Sequence, residues 1–495
     1  MRRIPLLTGT RVQVLAAPDD AVVLLPPPPR DAIADVGAAV REALRYPLSG
    51  QPLESLARPG GKATIVVEPP ALPIPGTELD PRRRAIEATA SELEEAGIPL
   101  DRQTLLVAGG LARRVAAREM DGLVTHEFAR RFTGRVIVHD VEDPGLVELS
   151  PGLRVNPALV EADAVVVVTA AQTFLHGGPA ALVAAAGVET QRAVGADSLL
   201  ETRGSAGWRL ALELERILEQ RTGLIGVSLA LNHPRLDTAV QGYPYEEQAL
   251  ERVARSPLRR IFSVLPGPVR LRLLRSLRVE LTVSTAYAGL PSVAHVEALL
   301  RSIESRSVSL DAPVDTIVVA VPRTTPYLPR ERPNPLLVAH IGLAHALGLW
   351  RDAFPVADGG TAILVHRFHR AFAHPTQAPY RAFFAATRLA REPEVLAVAE
   401  REALADERAL SLYRAGRGCH PALPFADWDA CRPALRRLGT VIVAGCRDAT
   451  AARQLGFVPA GSISAALEMA AGTLGRPPRL GVLVTPPFFP IRVGA

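Results

Sequence analysis

Short apolar, β-branched runs alternate along the chain with longer stretches in which Ala and Leu recur at helical spacing among Glu and Arg. A short apolar run suits a strand buried on both faces of a parallel sheet, and an amphipathic stretch suits the helix that crosses back over it. The pattern predicts strands over residues 63–67, 104–108, 135–139, 164–169 and 223–230, then over 316–321, 362–366, 440–444 and 480–485. It predicts helices over 82–96, 206–220, 293–305, 381–390 and 393–414, with Pro393 at a first helical position, where its missing N–H is tolerated. This alternation gives an α/β fold of two domains, each with a mainly parallel sheet flanked by helices, and a ligand cleft between them is expected.

Length supports the division, because single cores stop growing at roughly 250–300 residues and the chain has 495. Residues 307–313 precede a new series of strands, so the junction is expected near Val308, with domains over 1–308 and 309–495. The Pro-rich stretches 25–30 and 67–76 read as loops. No repeat of about 20–50 residues is visible, which disfavours a solenoid.

Charge narrows the functional classes. The net charge is only +5, and the arginines read as scattered among Glu and Asp without stacking aromatics, so no nucleic-acid partner is expected. Lys62 is the single lysine, which excludes Schiff-base or covalently tethering lysines everywhere else. Cys419, Cys431 and Cys446 form no CxxC pair and no zinc spacing, which fits a reducing cytoplasm. The start of the chain lacks signal-peptide zones, and Arg, Asp or Pro interrupts every apolar run before about 18 residues. A cytoplasmic protein without a membrane partner is therefore expected.

Four segments, in order, resemble those of the nickel-pincer lactate racemases. They are ATIVVEPPALPIP from Ala63, LLVAGGLARRVAAREM from Leu105, ADAVVVVTAAQTFLHGGPAALVAAAGVET from Ala162, and a final group. That group comprises VDTIVVAVPRTTPY, NPLLVAHIGLAHAL and VADGGTAILVHRFHRAF. NHPRLD from Asn232 and GSISAALEMAAG from Gly461 also sit where similar family segments would be expected. The resemblance implies an isomerase of small 2-hydroxy acids with its site in the interdomain cleft.

It also implies that the family's functional positions are altered. The lysine that tethers the family's cofactor falls at Ala180, and the two acid/base histidines fall at Ala112 and Ala170. A nickel-binding histidine falls near Gly195, and the substrate-binding Asp and Arg fall at Pro69 and Leu72. The second-domain Tyr-Gln and Lys fall near Leu336, Leu337 and His340. Ala, Leu and Pro carry no proton and accept no hydrogen bond through the side chain, so the family's reaction should not run by the family's mechanism. A covalent nickel-pincer nucleotide is not expected, and the cofactor is otherwise open.

Three local patterns could supply replacement chemistry. His176, Gly177 and Gly178 stand before a predicted helix, whose N–H groups would favour a small-molecule carboxylate or a phosphate, although the glycines could equally serve only a tight turn. His340, His345, His366, His369 and His374 fall within 35 residues. His366 and His369, with His340 entering from a helix, could ligate a divalent metal, or the stretch could be a solvated surface. Cys419-His420 reads as structural, because adjacent residues of an extended segment point to opposite faces. Asp358–Thr361 reads as a turn entering a strand. Three functions remain open: a divergent hydroxy-acid enzyme, a non-catalytic binding or partner paralogue, and an unrelated α/β metalloenzyme.

Overall fold

The computed structural model describes residues 1–69, 80–115, 123–236, 242–277, 279–323, 333–372, 375–387 and 393–494. Two six-stranded sheets organise the chain. In the first, Ala63–Val67 lies between Gln103–Val107 and Ala164–Ala170, with Arg135–Val138 beyond one neighbour and Gly223–Leu231 beyond the other. These five strands are parallel, and Val283–Gly289 closes one edge antiparallel. The central runs ATIVV and AVVVVTA are buried throughout, as a strand with helices on both faces must be.

The second sheet is wholly parallel. Val314–Ala320 lies between Val356–Val365 and Leu480–Leu483; Thr440–Ala444 and Val458–Ala460 extend one side. The other edge is Val22–Leu24, which comes from the very start of the chain. The hairpin Arg2–Thr8 with Arg11–Ala17 packs its Ile4, Leu6, Leu15 and Ala17 onto the same core as Val318, Ile363 and Val482. The opening residues therefore build the second sheet, although in sequence they precede the first.

Helix limits follow their caps. Ser205 accepts from Trp208 N to start Ala206–Glu219, and Asn334 accepts from Leu337 N to start Pro335–Ala339, which continues as a π-helix over His340–Ala346. The stretch 393–414, expected as one helix, is two, Pro393–Leu404 and Glu407–Arg414. Asp406 accounts for the break, because its carboxylate caps Arg408 N and Ala409 N and starts a new helix there. Asp358, Gly359 and Gly360 lie inside the strand Val356–Val365, which begins earlier than expected. Gly359 takes a φ of +75°, and Gly439 packs against its backbone, which leaves no room for a side chain at 439. Among the described residues no helix is long and apolar enough to cross a membrane.

Candidate functional site

The strand Ala164–Ala170 delivers the loop that matters most. Beyond it, Gly177 and Gly178 turn with φ of +90° and +53°, and Ala180–Val183 begins as a short helix. Any side chain would be excluded here: a Cβ on Gly177 would lie 2.5 Å from Ala170 O, and one on Gly178 would lie 2.3 Å from His295 Cβ. His295, fully buried, holds the loop from below, its Nε2 2.9 Å from Thr173 O.

The turn's amide donors are already engaged. Gly178 N donates to Thr169 Oγ1 at 2.8 Å and Gly177 N to Glu68 Oε1 at 3.2 Å. The protein's own carboxyl thus stands where the sequence suggested an external anion at His176, Gly177 and Gly178, so these donors supply no free anion site. His176 itself is half-buried, with Nδ1 3.0 Å from Thr173 Oγ1. Burial, then the imidazoles of His340 and His295, push it down to about 3, so it is neutral at physiological pH.

Glu68, just past the end of Ala63–Val67, is the residue that sequence reasoning missed. Burial pushes its carboxyl up to about 7, against the opposing pull of Gly177 N–H and Arg82. Among the described residues its Oε2 is buried without a hydrogen-bond partner. The available signal was its place at the carboxyl end of a central parallel strand, where open α/β sheets present their ligand-facing groups.

A cavity of about 590 Å³ opens between the two sheets, lined by Glu68 and His176 from one side and by His340, His345 and Asp427 from the other. Pro69, Ala112, Ala180 and Gly195 line the same cavity. Ala180 opens its helix there, while Ala170 lies buried in the sheet below the turn. Leu336 and Leu337 are core residues of Pro335–Ala339. Leu72 lies outside the described residues.

His340 is oriented from behind. Its Nδ1 lies 3.2 Å from Asp427 O and 3.6 Å from Asp427 Oδ1, and Tyr380 O–H donates to Asp427 Oδ2 at 2.6 Å. An Nδ1–H donated to that carbonyl leaves Nε2 as the basic nitrogen. His345 is buried edge-to-face on Phe488 at 4.8 Å, and burial followed by His340 and His176 holds its pKa well below the usual imidazole range.

The remaining histidines sit elsewhere. His366 is buried close to Gly9, and burial, then His369 and Arg367, push it down to about 3, whereas His369 is exposed with Nδ1 3.0 Å from Arg367 O. Among the described residues no three His, Cys, Asp or Glu side chains stand close enough to hold a metal, so His340, His366 and His369 do not converge as the sequence allowed. His374 lies outside the described residues. His420 is buried and spans the two halves: its N–H donates to Leu111 O at 3.0 Å, and its Nε2 lies 2.9 Å from Glu142 Oε1. Arg192 makes a second link, to Glu400 and to Asp429 at 2.7 Å.

The residues present do not fit the covalent cofactor that the resemblance implies. The Ala180 methyl offers no amine to link, and Gly195 offers no ligand to a metal.

Residues 9–178 match the lactate racemase N-terminal domain family. No curated protein sequence matches the chain. The lactate racemase apoprotein of Thermoanaerobacterium thermosaccharolyticum superposes with a TM-score of 0.60 at 14% identity, covering 99% of this chain and 100% of that one. A protein from Thermotoga maritima gives a TM-score of 0.45 at 12% identity, with 86% and 91% covered. Residues 9–178 are thus similar to a lactate racemase N-terminal domain, and over nearly its whole length the chain shares the fold of a lactate racemase apoprotein.

Proposed function

We propose that the protein is a lactate-racemase-like protein that takes a small 2-hydroxy acid into the cavity between its sheets, with Glu68 and His340 as the proton-carrying groups. One observation carries this reading. The positions that the resemblance aligns with the family's machinery, Pro69, Ala112, Ala180 and Gly195, line a single cavity, and the ionisable groups Glu68 and His340 line it too.

The chemistry of the two groups is complementary. Glu68, pushed up to about 7, is available as an acid near neutral pH, and His340, with Nδ1 held at Asp427 O, presents Nε2 as a base. A proton donor and acceptor in one partly enclosed space suit exchange at a hydroxyl-bearing carbon. Arg432 lines the mouth, paired to Asp429 at 2.9 Å, and is the group suited to meet a substrate carboxylate. The alternative is a non-catalytic paralogue that binds the same class of ligand; the apolar lining supplied by Ala112, Ala180 and Gly195 favours it.

The experiment is incubation of single enantiomers of a panel of 2-hydroxy acids with the protein, followed by chiral chromatography. Loss of enantiomeric purity for one member, abolished in His340→Ala, supports the enzyme reading. Saturable binding without conversion supports the paralogue. Any conversion, of L-lactate or another member, should run without the family's own proton carriers, because neither Ala112 nor Ala170 can move a proton. Intact mass after co-expression with the cofactor-making enzymes should equal that of the bare chain, and an adduct of nucleotide size would contradict the assignment of Ala180.

A further inference from the structure

The arginines are not evenly scattered. From Arg252 to Val279 the chain has eight Arg and neither Asp nor Glu. This stretch folds into three short helices, Glu247–Arg255, Pro257–Val264 and Gly267–Arg275. Pro257–Val264 buries none of its residues, although its sequence is PLRRIFSV. Leu258 is 70% exposed, Ile261 59% and Val264 83%, three residues apart on one side, with the exposed Arg260 beside them, whereas Arg259 lies on the half-buried face with Phe262. Val269 and Leu273 of the next helix are also exposed, four residues apart and therefore on one face.

A helix with an aliphatic stripe that packs on nothing within its own chain needs something outside to cover it. The charge restricts what that can be. A second copy would set these arginines against themselves. Nucleic acid would pair with the arginines but gain nothing from Leu258, Ile261 and Val264. An anionic bilayer satisfies both features, since aliphatics enter the headgroup boundary while arginines meet lipid phosphates. The element is also anchored to the body: Arg270 is buried, with Nε donating to Thr10 Oγ1 at 3.3 Å and Nη1 to the carbonyls of Ser263 and Leu265. The positive field continues onto the sheet edge, where burial and then Arg270 and Arg447 hold Arg11 below the usual guanidinium range.

We propose that residues 252–275 form a docking element for an anionic lipid surface, which seats the protein peripherally without crossing the membrane. It is independent of what the cavity binds. The test is flotation of the full-length protein with vesicles of phosphatidylcholine alone and of phosphatidylcholine with phosphatidylglycerol. The protein should float only with the anionic vesicles, and less so in high salt. Arg260→Gln and Arg272→Gln, both at exposed positions, should each weaken binding about five-fold. The triple variant Leu258→Ser, Ile261→Ser, Val264→Ser should abolish flotation while leaving the thermal unfolding temperature unchanged, because none of the three is buried. Equal flotation with both vesicle types, or with neither, would overturn the proposal. So would binding to polyglutamate or duplex DNA that survives in the serine variant, which would give the patch to an acidic protein or a nucleic acid.

Discussion

The two walls of the cavity are built in opposite ways. The wall from the first sheet carries Ala112, Ala180 and Gly195 beside His176, and its carboxyl group, Glu68, is buried against a glycine turn. The wall from the second sheet carries His340, His345 and Asp427, of which Asp427 holds His340 and accepts from Tyr380 O–H, while His345 rests on Phe488. The first wall is shaped by how closely backbone can approach; the second holds side chains at set orientations. Each wall thus brings one proton-carrying side chain, Glu68 set by close backbone contact and His340 set by side-chain partners.

The comparison breaks most visibly at Gly178. Gly178→Ala places a methyl 2.3 Å from His295 Cβ at a φ of +53°, and should cost about 4 kcal/mol from overpacking and left-handed backbone together. Chemical denaturation measures it, and a variant as stable as the parent would mean that the loop yields and the first wall is not set by contact.

Glu68 provides the next largest effect, and it depends on pH. An unfolded carboxyl titrates near 4.5, whereas the folded one is pushed up to about 7. Between those values the folded state holds a proton that the unfolded state has lost, so stability falls as pH rises through the window and levels off above it. Glu68→Gln should remove that slope and, above pH 7, be more stable than the parent by on the order of 3 kcal/mol. Denaturation midpoints across pH check this; parallel curves for the two proteins would show that Glu68 ionises freely.

His420→Ala tests the clamp that keeps the walls in register. It leaves the Glu142 carboxylate, now held below the usual range by His420, without its buried partner, and should cost about 1–3 kcal/mol. The smallest effect is expected at His369, exposed and outside the cavity, where alanine should change stability by under about 0.5 kcal/mol.

Much of the fold was legible in the sequence, for definite reasons. AVVVVTA and ATIVV are buried on both faces, so no charged position interrupts them, one buried Thr is the only polar residue of each, and the run itself announces a strand. The hairpin Arg2–Thr8 with Arg11–Ala17 was missed because its solvent side interleaves Arg and Gln with apolar residues over a short length. That Val22–Leu24 joins the second sheet is a matter of topology, which three residues cannot signal. His340 stood out in the sequence, but its partner Asp427 lies 87 residues away and no local spacing connects them. The helical stretch from Glu247 to Arg275 was hidden by an average: a net charge of +5 over the whole chain masks an acid-free run of arginines.

The claim at the centre of this account is that the cavity between the sheets holds a small 2-hydroxy acid against His340. Isothermal titration of the 2-hydroxy acid panel into the parent protein, His340→Ala and His366→Ala tests it most directly. The account predicts saturable binding of at least one member to the parent, loss of that binding in His340→Ala, and retention in His366→Ala, whose imidazole lies beside Gly9 and not in the cavity. Binding that survives in His340→Ala and disappears in His366→Ala, or no binding of any member to the parent, would contradict it.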